Sequence, residues 1–137
     1  MNAFRLVLPA VSGSIAPFQQ FARAAALEAG IEPGQLETLD LVLEEILINV
    51  ARYAYAPGTG TVELRCAPGA GQIQLAVIDS GRVFNPLEAE PPDLSLSIAE
   101  RPIGGLGVFL VRSLVESIDY RRENDHNVLA FTFPGKY

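Results

Sequence analysis

Glu45 and Asn49 stand four residues apart in a strongly apolar stretch that includes Leu39, Val42, Leu43, Ile46 and Val50, so on a helix they stack on one face. A carboxylate and an amide oxygen in that relation suit a hard cation such as Mg²⁺, which takes one or two protein oxygens and draws the rest of its shell from water and phosphate. They suit equally a hydrogen-bonded pair on a solvent strip, and Glu44 next door is either a second site residue or plain surface. Further on, Ile73, Leu75, Val77 and Asp79 alternate, so Asp79 continues an apolar row. A carboxylate there needs a cation, hydrogen-bond donors or a ligand's exocyclic amine. The other reading is a cap for the turn at Ser80-Gly81.

The third group is Ile103-Gly104-Gly105-Leu106-Gly107, glycine-rich and directly ahead of a helical stripe. Missing side chains let backbone approach a ligand, and unpaired amides at a helix start suit a phosphate. No Gly-Lys-Ser/Thr follows, as a P-loop requires, and Leu110 stands where the dinucleotide fingerprint has its third glycine. Arg101, just upstream, is either a cation placed to reach a terminal phosphate or a surface arginine.

The elements that must hold these groups can be read from periodicity and punctuation. Phe4 to Leu8, closed by Pro9, reads as an edge strand. Ser14 to Ala29 reads as a helix with Ser14 as N-cap and Gly30 as its stop. Pro33 opens a second helix to about Tyr53, ended by Ala56-Pro57-Gly58-Thr59-Gly60. Thr61 to Cys66 and Gln72 to Asp79 form a hairpin. Residues 82 to 103, with Pro86, Pro91, Pro92 and Pro102 and the acidic Glu88, Glu90 and Asp93, read as a long loop or lid. Val108, Val111, Leu114, Val115 and Ile118 predict a third helix, and Asp119 to Arg122 with Val128 to Phe133 predict a closing hairpin around Asn124-Asp125-His126-Asn127. The expected fold is α+β: a two-layer sandwich with a mixed, mostly antiparallel sheet and helices on one face.

With 137 residues, 49% of them hydrophobic and 19% charged, the chain is expected to form a single domain over residues 1–137 with a sizeable core. A net charge of -6 repels nucleic-acid backbones, so any phosphate must be held locally. Cys66, the only cysteine, has no internal disulfide partner and sits among strand residues as a structural side chain. With no basic leader and no uncharged run near the roughly 20 residues that span a bilayer, a cytoplasmic protein without membrane attachment is expected.

In chain order the groups run Glu/Asn helix, Asp-x-Gly strand end, proline-rich lid, glycine-rich helix start. This order resembles the Bergerat-fold (GHKL) ATP-binding family: the N-box matches Glu45-Ile46-Leu47-Ile48-Asn49, the first glycine box Asp79-Ser80-Gly81 and the second Gly105-Leu106-Gly107. Within it the chain is most similar to the small anti-sigma-factor serine kinases, as Phe84-Asn85-Pro86 and the run Arg101 to Gly107 suggest. The resemblance implies that Asp79 accepts from the adenine amine of ATP, that Asn49 ligates Mg²⁺ and that Glu45 is the general base on a substrate serine. It further implies that Gly81 lets backbone pass close to the base, and that Arg101, Gly104, Gly105, Leu106 and Gly107 serve the phosphates. Ile48 and Tyr53 depart from the pattern, standing where these kinases often carry threonine and some carry histidine. Sensor histidine kinases need a dimerisation segment and gyrase-type relatives a transducer, so the length favours the small serine kinase, with His126 read as a loop residue. Two functions are carried: a kinase that phosphorylates a STAS-type anti-anti-sigma protein and sequesters a sigma factor, or an ATP-binding interaction module without phosphotransfer. A homodimer is implied by the resemblance alone.

Overall fold

The computed structural model describes residues 3–88 and 105–135. Strand β1 (Phe4–Pro9) leads through a 3-10 turn at Ser12–Ser14 into helix α1 (Ile15–Glu28); a second 3-10 turn at Pro33–Gln35 starts helix α2 (Leu36–Asn49). A π-helical turn, Val50–Ala54, closes α2 and is followed by β2 (Thr61–Pro68) and β3 (Ile73–Asp79). Helix α3 (Gly105–Leu114), β4 (Ser117–Glu123) and β5 (His126–Phe133) complete the described chain. The strands form one sheet in the order β1-β2-β3-β5-β4, every pair antiparallel. This is the expected α+β sandwich, with no parallel pair among the described residues.

Alternation decides which sheet face is covered. Val62, Leu64 and Cys66 on β2, Ile73, Leu75 and Val77 on β3, and Leu129, Phe131 and Phe133 on β5 all join one buried cluster with the helices. Helix α2 contributes Leu36, Leu39, Val42, Leu43, Ile46 and Leu47, a stripe at helical spacing, while α1 contributes Phe18 and the small Ala22, Ala25 and Ala26. The alanines keep α1 close to its neighbours, and Arg23 on α1 grips Asp40 on α2 through Nε and Nη2. That contact holds the Arg23 guanidinium above its ordinary pKa. Cys66 is wholly buried, which pushes its thiol up to about 12 and agrees with a structural role.

Local chemistry explains most element ends. After α1, Gly30 adopts φ +82, its N–H bonds the Leu27 carbonyl and the Ile31 N–H reaches back to Ala26, so three residues close the helix as a Schellman motif. Ser14 occupies the N-cap position, but the preceding 3-10 turn has already given it helical angles and its hydroxyl makes no capping bond. The β4–β5 connection is a two-residue turn with positive φ at Asn124 and Asp125, as a tight hairpin of this hand requires.

Two boundaries differ from the sequence expectation. Helix α3 stops at Leu114, and Ile118 lies in β4 instead of extending the helical stripe. Sheet pairing wins there, because the Glu116 N–H bonds the Thr132 carbonyl at 2.8 Å and draws the chain onto β5. Asn127, expected in a turn, lies in β5 opposite Asp79. Of the expected lid, residues 82–88 are described, with a 3-10 turn at Pro86–Glu88, and the rest lies outside the described residues.

Candidate functional site

One cleft gathers the chemistry. Its walls are largely apolar, from Ile46, Val50, Val77, Val111, Ile118 and Leu129 among others, and besides Tyr120 four polar side chains line it: Glu45, Asn49, Asp79 and Asn127. Asn49, Asp79 and Asn127 are only 8%, 7% and 6% exposed, whereas Glu45 is half-buried. Three of the four were expected from sequence, and the helical and strand periods that placed them are those observed.

Asp79 caps its turn and takes a second donor. Oδ1 accepts from the Gly81 N–H at 2.9 Å, which is the turn-capping role, and from Asn127 Nδ2 at 2.9 Å. Oδ2 makes no hydrogen bond among the described residues, where no fully buried side-chain oxygen or nitrogen lacks a partner. It therefore keeps contact with solvent and is the oxygen available to a ligand donor.

The same reasoning applies to Asn49. Its amide bonds to no described residue and yet is not sealed off, and the side chain lines the cleft one helical turn from Glu45. Among the described residues no cluster of three or more His, Cys, Asp or Glu could hold a metal by itself. One amide oxygen and a nearby carboxylate fit an ion that brings most of its ligands with it, as Mg²⁺ does on a polyphosphate.

The glycines have nearer neighbours than a ligand. A β-carbon on Gly81 would fall 2.1 Å from the Ala54 carbonyl oxygen, so glycine is required where the turn after β3 presses on the π-helical turn. The Arg82 N–H bonds that same carbonyl at 2.9 Å, Arg122 reaches the Gly81 carbonyl at 2.9 Å, and the Tyr55 hydroxyl accepts from the Ser80 N–H at 2.9 Å. A β-carbon on Gly107 would fall 2.1 Å from Glu45 Oε2, so the first turn of α3 lies against the carboxylate. Gly105 is the first residue of α3 and Leu106 the second; Arg101 and Gly104 lie outside the described residues.

Not every neighbour of the N-box belongs to the cleft. Glu44 and Ile48 line a separate groove with Ser12, Ile15 and Gln19, on the α1 side of α2, so the departure at Ile48 is not at the site. Tyr53 packs its ring on Phe84 at 5.9 Å, and Phe84 does line the cleft. His126 is exposed at the start of β5, near the hairpin turn.

Sequence comparison gives the family. Residues 8–133 match the histidine kinase-like ATPase domain. The chain belongs to that family. Membership implies ATP as a ligand. Among curated proteins, this ATPase-family chain is 29% identical to the serine/threonine-protein kinase BtrW of Bordetella bronchiseptica over 96 residues, 69% of this chain and 68% of the relative. It is 23% identical to the serine-protein kinase RsbW of Bacillus cereus over 126 residues, 89% of this chain and 79% of the relative, and 21% identical to that of Bacillus mycoides. No helix among the described residues is long and apolar enough to cross a membrane.

Proposed function

We propose that the chain is an ATP- and Mg²⁺-dependent protein serine kinase, a cytoplasmic anti-sigma factor or partner-switching regulator that phosphorylates a STAS-type anti-anti-sigma protein and works as a homodimer. The observation that carries this reading is Glu45, a half-buried carboxylate sharing one cleft with Asn49 and Asp79. A chain that only bound nucleotide would have no use for a base there, and the curated relatives are named serine kinases.

In this reading the adenine amine donates to Asp79 Oδ2, and the apolar walls around Val77 and Leu129 cover the base. Asn49 would hold the metal, whose charge offsets that of the phosphates. Gly105 to Gly107, at the start of α3, would lie beside the phosphates, with Arg101 and Gly104 upstream. The substrate serine oxygen attacks the γ-phosphorus, the bond to the β–γ bridging oxygen breaks, and ADP leaves. Glu45 takes the hydroxyl proton. Phosphoryl transfer asks mostly for positioning and charge neutralisation, so these parts suffice.

The test incubates the protein with Mg-ATP and a candidate STAS partner, comparing wild type with Glu45→Ala. Label should reach the partner only with wild type, while both proteins bind ATP. If wild type binds ATP and never labels any such partner, the chain is an ATP-dependent interaction module and the kinase reading is wrong.

A further inference from the structure

Asn127 uses every hydrogen-bonding position it has. Its Nδ2 donates to Asp79 Oδ1 at 2.9 Å and to the Arg82 carbonyl at 2.7 Å, while its Oδ1 accepts from the Tyr120 hydroxyl at 2.6 Å and the Phe84 N–H at 3.3 Å. Two acceptors on one side and two donors on the other fix which way the amide faces. The residue thus ties the carboxylate at the end of β3 to the segment that supplies Phe84 to the cleft wall.

We propose that Asn127 is a positioning residue that sets base selectivity, making the cleft favour a purine with an exocyclic amine over one with a keto oxygen at the same place. The proposal rests on the nucleotide reading above. With Oδ1 engaged by the Gly81 N–H and Asn127 Nδ2, the carboxylate is held against rotation about its own axis, and Oδ2 remains as the acceptor left for a ligand. An amine meets it favourably. A keto oxygen meets an acceptor with no donor to soften the encounter, and leaving polar groups unmatched in a buried site is what separates close analogues most strongly. Without Asn127 the carboxylate can rotate away or admit a bridging water, and the discrimination relaxes.

The experiment measures the affinities of ATP and inosine triphosphate, which carries oxygen in place of the amine, by calorimetry, with thermal melts to confirm folding. Wild type should prefer ATP. In Asn127→Ala the ATP-to-inosine-triphosphate preference should fall about tenfold, chiefly through weaker ATP binding. Tyr120→Phe, which leaves Asn127 in place and removes one tether, should lower the preference by about threefold. Equal losses for both nucleotides in both variants, with the preference kept, would show that Asn127 only supports the fold and overturn the proposal. Wild type that binds both nucleotides alike would overturn the selectivity proposal while leaving the nucleotide reading standing, and wild type that fails to bind ATP would overturn that reading as well.

Discussion

The Glu45 carboxylate occupies the space that a side chain at position 107 would need: Oε2 lies 2.1 Å from where the β-carbon of any residue other than glycine would stand. Candidate base and glycine loop are therefore one fitted unit. In Gly107→Ala the new methyl must push the carboxylate aside, since the flexible Glu45 side chain gives way more easily than the helix backbone. Phosphotransfer to the partner should drop by about 10²- to 10⁴-fold, the usual worth of a positioned base. ATP affinity should change far less. Parallel loss of both would mean that the contact serves nucleotide binding instead.

Asp79→Asn separates the two duties of that side chain. Its Oδ1 can still accept from Gly81 and Asn127, so the turn should persist, while an amide nitrogen replaces Oδ2 and meets the adenine amine donor to donor. ATP affinity should weaken by roughly 10- to 100-fold, as expected for losing a bond to a charged acceptor. Unchanged affinity in a calorimetric titration would remove Asp79 from the base-binding site.

Gly81→Ala tests packing, because its β-carbon would meet the oxygen, carbon and α-carbon of Ala54, backbone atoms that no rotamer change can move. Overpacking of this kind costs about 1–3 kcal/mol. A fall in Tm of roughly 3–10 °C is expected, with weaker ATP binding because Asp79 loses its turn. A variant as stable as wild type would show that the turn after β3 yields easily.

Cys66 gives a prediction about pH. Its folded pKa of about 12 exceeds the roughly 8.5 of an exposed thiol, so between those values the unfolded chain binds fewer protons. This group's contribution to stability is complete below about pH 8.5 and is lost as pH rises toward 12. Cys66→Val should flatten that part of the alkaline decline in denaturant midpoints. At pH 8 an aromatic disulfide reagent should label the native thiol only as fast as the chain opens.

What the sequence revealed and what it concealed divide along the range of the interactions. The row Ile73, Leu75, Val77 and Asp79 and the pair Glu45 and Asn49 are local periodicities, and both predict faces that the fold keeps. Gly30 likewise marks a helix end through its own positive φ. Asn127 was hidden because Asn124, Asp125 and His126 beside it are turn-forming residues, and its partners Asp79 and Tyr120 are set by strand pairing that no local window contains. Ile118 continued a helical stripe in sequence, but the bond from Glu116 to Thr132 is a nonlocal event that ended the helix first. Gly81 and Gly107 were legible as glycines with a purpose, whereas the neighbours that demand them, Ala54 and Glu45, emerge only from packing.

The π-helical turn at Val50–Ala54 bears on how such a chain can change over generations. It holds one residue more than an α-helical turn would, and it delivers the Ala54 carbonyl to the Arg82 N–H while leaving Asn49 in the cleft. Deleting a single residue there would let α2 run on undisturbed, yet would rotate everything after it by about 100° and strip the turn after β3 of its abutment. A change of length in this segment is therefore costly whatever its letters, so descendants that retain Asn49 and Gly81 should conserve its number of residues, with the exposed Arg52 the position freest to vary.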